Sequence, residues 1–225
     1  KIPDPRLAQK QTDEIKLSVN LDSSDTIKSV ADFNQNDGNS FNYSTSIKVF
    51  DEAGQSVQIS TFYKKVEPNK WEVYVTANGQ NVPPKANPTD AATPVDTIEF
   101  TSADGSGPPL KSGGTAGAAD QAVLSIASAD LNAALNTAAV TASGIQYTFG
   151  EVKLNLAGAG QQAGDYTISE LGQNGYGVGT LSGFSFNDQG VLTAKYTNGQ
   201  TRSTGQLAIA SFRNPQGLQS VGGNA

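Results

Sequence analysis

The side chains of this 225-residue chain that carry reactive groups are 21 carboxylates, 15 lysines and arginines, and many hydroxyls and amides, with no cysteine, histidine or methionine. Disulfides, thiolate nucleophiles, imidazole bases and metals held by Cys or His are therefore excluded. Three oxygen-based chemistries remain. "DFNQNDGNSFNY" opens like a calcium loop, with Asp32, Asn34 and Asn36 in ligand spacing. The match then fails, because Asp37 stands where the loop needs Gly and Tyr43 where it needs a bidentate Glu. The stretch reads better as an Asn/Asp turn whose side chains bond their own backbone. A glycosidase needs only two opposed carboxylates. Here Asp51, Glu52, Asp104 and Asp188 fall in turns, and Glu72 and Glu151 read as solvated strand residues. A serine nucleophile would have no His base and no G-x-S-x-G elbow, and although Ser–Lys pairing is formally possible, S-x-x-K does not occur in a convincing strand–helix context. "GGTAGAAD" has glycines without a strand-to-helix context and reads as a linker. No catalytic, cofactor or metal site is assigned, and the chain is not expected to be an enzyme.

The aromatics Phe62, Tyr63, Trp71, Tyr74, Phe184, Phe186, Tyr196 and Phe212 invite comparison with a sugar-binding platform. Their strand spacing favours packing instead. Trp71, Phe184, Phe186, Tyr196 and Phe212 are expected to anchor cores, with Trp71 at the centre of its domain.

The elements that would position these residues are strands. Only 36% of the residues are hydrophobic and 16% charged, and 24 glycines and 10 prolines separate short apolar alternations. That composition predicts an all-β chain with many turns. A net charge of −6 and no basic stripe argue against nucleic acid. No apolar run reaches the roughly 18 residues of a membrane span, and "KIPDPRLAQKQ" lacks the apolar core of a signal peptide.

Ile15, Leu17 and Val19 alternate with polar residues, predicting a half-buried strand over 14–21. "YSTSIKVFDEAGQSVQISTFYKKV" predicts a hairpin around "DEAG", and "NKWEVYV" a third strand. Six prolines, from Pro83 to Pro109, fall within 80–120. That stretch is expected to form exposed loops around one strand, "DTIEF", burying little. "SADLNAALN" predicts a short helix with Ser128 or Asp130 as N-cap. "GIQYTFGEVKLNL" returns to strand character, and "GAGQQAGDYTISELGQNGYG" reads as a connector. A two-residue loop at Asn198-Gly199 would set Lys195 opposite Arg202, a like-charge pair that requires a nearby acid or a longer loop. A lone strand is unstable, so 14–21 is expected to pair with the C-terminal strands. The expected architecture is thus two β-rich, sandwich- or barrel-like domains. Residues 1–31 with 172–225 form a split inner domain, and 32–171 form an outer domain inserted into it.

Two stretches resemble the bacterial flagellar hook protein family. "STSIKVFDEAGQSVQISTFYKKVEPNKWEVYV" is similar to its strand–D-x-x-G–strand–W-x-V-Y segment. "GFSFNDQGVLTAKYTNGQTRSTGQLAIASFRNPQGLQSVGGN" is similar to its C-terminal core segment, with the Asn187–Gly190 turn, "YTNGQ", "GQLAIASF" and "NPQGLQSVGGN". "VNLDSSD" resembles the family's entry into this region. The second stretch is shared by flagellar axial proteins generally, distal rod proteins included; the first points to hook.

The resemblance implies an inner β domain split by an outer one. It also implies terminal helical segments, of which this chain has none, so the chain resembles a core fragment of a hook subunit. Further implications are a homopolymer of identical subunits forming a flexible helical tube, a universal joint passing torque from motor to filament. The partners would be other axial proteins (rod, hook cap, hook–filament junction). The location would be extracellular, reached without a cleaved signal peptide. Hinges between the domains are expected at Val30, Ala31 and Asp32 and at Gly172, Gly175 and Gly177, glycines being free to absorb backbone rotation. The alternatives are a distal rod or other axial protein, or a surface adhesin or carbohydrate-binding β domain.

Overall fold

The computed structural model describes residues 5–29, 32–100, 109–111 and 122–207. It is an all-β chain of two units, one comprising residues 1–7 with 179–225 and the other the continuous stretch 8–178. The boundaries therefore fall at 7/8 and 178/179, not near 31/32 and 171/172.

The first unit is a four-stranded antiparallel sheet. Its order is β1 (Arg6–Leu7), β12 (Gly179–Phe186), β13 (Val191–Tyr196) and β14 (Thr201–Gln206). Asn187 N donates to Val191 O and Gly190 N to Asn187 O, so the first turn is a three-residue loop closed by Gly190 at φ 74°. The second turn repeats this geometry, with Tyr196 N on Gln200 O and Gly199 at φ 80°. That extra residue sets Lys195 opposite Thr201 and Ala194 opposite Arg202, so the expected Lys195–Arg202 repulsion does not arise.

The second unit is a sandwich of two sheets. One runs β11 (Thr167–Gln173), β2 (Glu14–Asn20), β10 (Val152–Asn155), β9 (Val123–Ile126). The other runs β3 (Tyr43–Phe50), β4 (Ser56–Glu67), β5 (Lys70–Ala77), β7 (Asp96–Glu99), β8 (Leu110–Lys111), with β6 (Gln80–Val82) also on β5. Ile15, Leu17 and Val19 of β2, Val57 and Ile59 of β4, Trp71, Val73 and Val75 of β5, and Leu124 and Leu154 form one buried core. Period-two alternation supplies these inward faces. The strand over 14–20 therefore does not pair with the C-terminal strands. It lies parallel to β10 and antiparallel to β11, which satisfies both its edges within the second unit.

The meander β3–β4–β5 follows the predicted hairpin, closed by Gly54 at φ 78°. β5 buries both faces. Its second face carries Tyr74, which stacks on Phe33 with centroids 4.4 Å apart, beside Phe62 and Phe41. The "DFNQNDGNSFNY" stretch thus folds as a plug over the outer face of this sheet.

The described residues of the 80–120 stretch bury more than expected. Among them Val82, Ala92, Ile98, Phe100 and Leu110 are all buried, while Ala86 and Ala91 are exposed. The Asn78-Gly79 pair, both at positive φ, makes a two-residue turn between β5 and β6. The helix α1 (Ser128–Leu135) starts from Ala127, with no side-chain cap from Ser128 or Asp130. A single turn, α2 (Ala138–Ala142), follows it. The presumed connector is also structured. It contains β11, whose Gly172 is in ladder register with Lys16.

Candidate functional site

The chain passes between its two units twice, at Leu7–Ala8 and at Val178–Gly179. On the second unit's side the two passing strands are zipped together. Lys10 N donates to Tyr176 O and Tyr176 N to Lys10 O, each at 2.8 Å. Below this bridge lies Thr12, fully buried. Its backbone N donates to Phe50 O at 2.9 Å, and its Oγ1 accepts from Phe50 N at 3.0 Å. The same hydroxyl donates to Gln173 Oε1 at 2.7 Å. Gln173 Oε1 also accepts from Gly175 N at 2.6 Å, and its Nε2 donates to Gly175 O at 3.1 Å. Asn174 Oδ1 accepts from the Asp13 and Glu14 amides, and its Nδ2 donates to the Asp13 carboxylate. The amide and the hydroxyl of Thr12 are thus both matched, as burial requires.

The outer end of the link rests on the β3–β4 turn. Gln9 Nε2 donates to Glu52 O at 3.1 Å. That turn is fixed in place by Asp51, buried, which accepts from the amide of Gln55 at 2.7 Å and from that of Thr148 at 3.3 Å.

Gly175 and Gly177 do not adopt the left-handed backbone that would demand glycine for rotation. They are small because of close approach. A Cβ on Gly175 would lie 2.5 Å from Thr12 N, and one on Gly177 would lie 3.3 Å from Gly54 O. Gly172 sits inside β11, so none of the three is an unconstrained hinge. Asp32 begins the plug over the β4–β5 face and lines a cavity of about 300 Å³ with Asn34, Lys85 and Asp90. Val30 and Ala31 lie outside the described residues.

The expected core anchors divide. Trp71 is fully buried, and its Nε1 bonds to Gln161. Tyr196 is buried in the first unit. Phe184 and Phe186 are not in a core, being 48% and 57% exposed. They lie opposite Ala194 and Leu192 in the β12–β13 ladder. Phe212 lies outside the described residues.

Nothing among the described residues gathers three potential metal-ligating side chains. Asn34 Oδ1 accepts from the Asn36 amide and Asp37 Oδ1 from that of Asn39, as turn residues do. Asp90 is likewise engaged within its own turn, accepting from the Asn87 amide at 2.8 Å. The broad outer faces are polar. Ser44, Ser46, Lys48 and Gln58 are exposed on one sheet, and Lys16, Ser125 and Lys153 on the other.

Comparison with known proteins gives these surfaces a context. The chain is 30% identical to the "Flagellar hook protein FlgE" of Salmonella typhimurium over 223 residues, covering 99% of this chain and 48% of that one. It is 31% identical to the "Flagellar hook protein FlgE" of Escherichia coli K12 over the same coverage. The chain therefore spans about half the length of the curated relatives it matches. The solved Helicobacter pylori flagellar hook protein FlgE2 aligns at 17% identity with a TM-score of 0.48, covering 81% of this chain and 35% of that one. The model of the flagellar basal body protein FlaE D2 domain matches residues 20–176, which takes in most of the continuous sandwich unit. The chain belongs to the flagellar basal body protein FlaE D2 domain family.

Proposed function

We propose that this chain is the β-rich body of a flagellar hook subunit and acts by assembling with copies of itself, with no bond-making chemistry. The family match over residues 20–176 carries this reading. Identical subunits joined through unlike surfaces whose rotation does not close build a helical tube. A tube that bends as it turns needs contacts able to exchange partners. Polar, hydrated faces such as those bearing Ser44, Ser46, Gln58 and Ser125 suit that better than large apolar ones. The other partners in this reading are the rod, cap and junction proteins at the ends of the tube. Its location is the extracellular hook, reached by export without a cleaved signal peptide.

One observation favours a second reading. Phe184 and Phe186 are two rings exposed on one face of β12, as a sugar-binding surface would require. Their cross-strand neighbours, Ala194 and Leu192, are aliphatic and offer no hydrogen bonds to a sugar, so an apolar contact is the better account.

Immunogold labelling of cells with antibody raised against this chain tests the proposal. Label confined to the short curved segment between cell body and filament is expected. Label on the basal rod alone would move the assignment to a rod protein. Label over the general cell surface would favour an adhesin.

A further inference from the structure

We propose that the double-stranded link is built as a fixed root of the sandwich unit, locked by the Thr12 hydroxyl, and that bending is confined to Ala8 and Val178. Four observations lead there. Leu7 is in ladder register with Gly179 in the first unit, and Lys10 with Tyr176 in the second. Only Ala8 and Gln9 on one strand, and Gly177 and Val178 on the other, lie between those two pairs. Of these four, Gln9 is tied to Glu52 O, and Gly177 is packed against Gly54 and the Phe50 ring. Ala8 and Val178 remain exposed, Val178 at 53%.

The lock itself has no slack. Thr12 Oγ1 is donor to Gln173 and acceptor from Phe50, so it joins β11 to the end of β3 through one atom. Gln173 then holds both backbone groups of Gly175. The close approach of Gly175 to Thr12 leaves no room for either strand to slide past the other. A link with this root transmits force into the sandwich through both strands at once, and its flexible length is about one residue per strand. The lock acts within the chain alone, whichever axial structure the subunit enters.

Hydrogen exchange on the whole chain tests it. The amides of Lys10, Phe50, Gly175 and Tyr176 are expected to be protected, and those of Ala8 and Val178 to exchange fast. Thr12→Val keeps the shape and removes the hydroxyl. It should raise exchange at Phe50 and Gly175 at least tenfold while amides in the β4–β5 hairpin stay unchanged, and Thr12→Ser should behave as the parent. Gln173→Leu, which removes the other half of the lock, should loosen the same amides and serves if Thr12→Val does not fold. Since the chain has no cysteine, spin labels at Lys48→Cys and Lys195→Cys report bending directly. The distance distribution should narrow with Ala8→Pro plus Val178→Pro and broaden with Thr12→Val. Unchanged exchange and unchanged width in the variants, or loosening spread equally through the β4–β5 hairpin, would overturn the proposal.

Discussion

The indole Nε1 of Trp71 donates to Gln161 Oε1 at 2.7 Å across 90 residues of chain, and both side chains are buried. Gln161 Nε2 in turn donates to Asn69 Oδ1 at 2.6 Å, reaching the β4–β5 turn, where Asn69 holds φ 64°. One amide thereby ties the segment after β10 to the core tryptophan and to a strained turn. Gln161→Leu leaves the indole N–H buried without a partner, and about 1–3 kcal/mol of stability should be lost. As Trp71 is the only tryptophan, its fluorescence in a urea titration reads that loss directly.

The two glycine turns at Gly54 and Gly199 give a graded prediction. Both are left-handed, at φ 78° and 80°, so alanine at either costs roughly 1–2 kcal/mol of backbone strain. At Gly199 the added methyl meets open space, whereas at Gly54 it would lie 2.9 Å from Gln9 Cβ. Gly54→Ala should therefore lower the melting temperature more than Gly199→Ala. Equal losses would show that the link does not press on the β3–β4 turn.

The β3–β4–β5 meander was legible in the sequence because its alternation and turn residues are local. The pairing of β2 was not. Ile15, Leu17 and Val19 announce a buried face, but nothing local says whether the partner is a C-terminal strand or Leu154 of β10. The packing of the link is not legible for a related reason. Gly175 and Gly177 look like rotational freedom in sequence, and only the position of Thr12 reveals that they are small to admit a neighbour. Thr12 itself carried no signal, since a threonine before a strand has many uses. Phe184 and Phe186 alternate as core residues do, yet both rings stand exposed.

Alkaline pH should destabilise the sandwich. Burial pushes the phenols of Tyr43, Tyr63, Tyr74 and Tyr166 above the usual value near 10.0, and the carboxylate of Glu72 beside Tyr74 adds to the effect there. The folded chain holds these protons more tightly than the unfolded chain. The resulting stability is fully present below about pH 10 and is lost as pH rises beyond it. Ultraviolet titration should show these phenols ionising together with unfolding. A smooth titration of all seven tyrosines in a folded chain would contradict their burial.

Phe184→Ser with Phe186→Ser should change stability by no more than about 0.5 kcal/mol per site, since neither ring is in a core. Concentration-dependent light scattering should fall in the double variant if these rings form an apolar contact. A large drop in melting temperature would instead mean that the chain covers them.

The central claim is that this chain serves as a repeating structural body, and helical reconstruction by electron cryomicroscopy of tubes grown from the full-length gene product tests it most directly. The account predicts the sandwich of residues 8–178 repeated along the tube, meeting its neighbours through the polar faces bearing Ser44, Ser46 and Gln58 or Lys16, Ser125 and Lys153. A protein that stays monomeric, or a tube whose repeat contains no such sandwich, would contradict it.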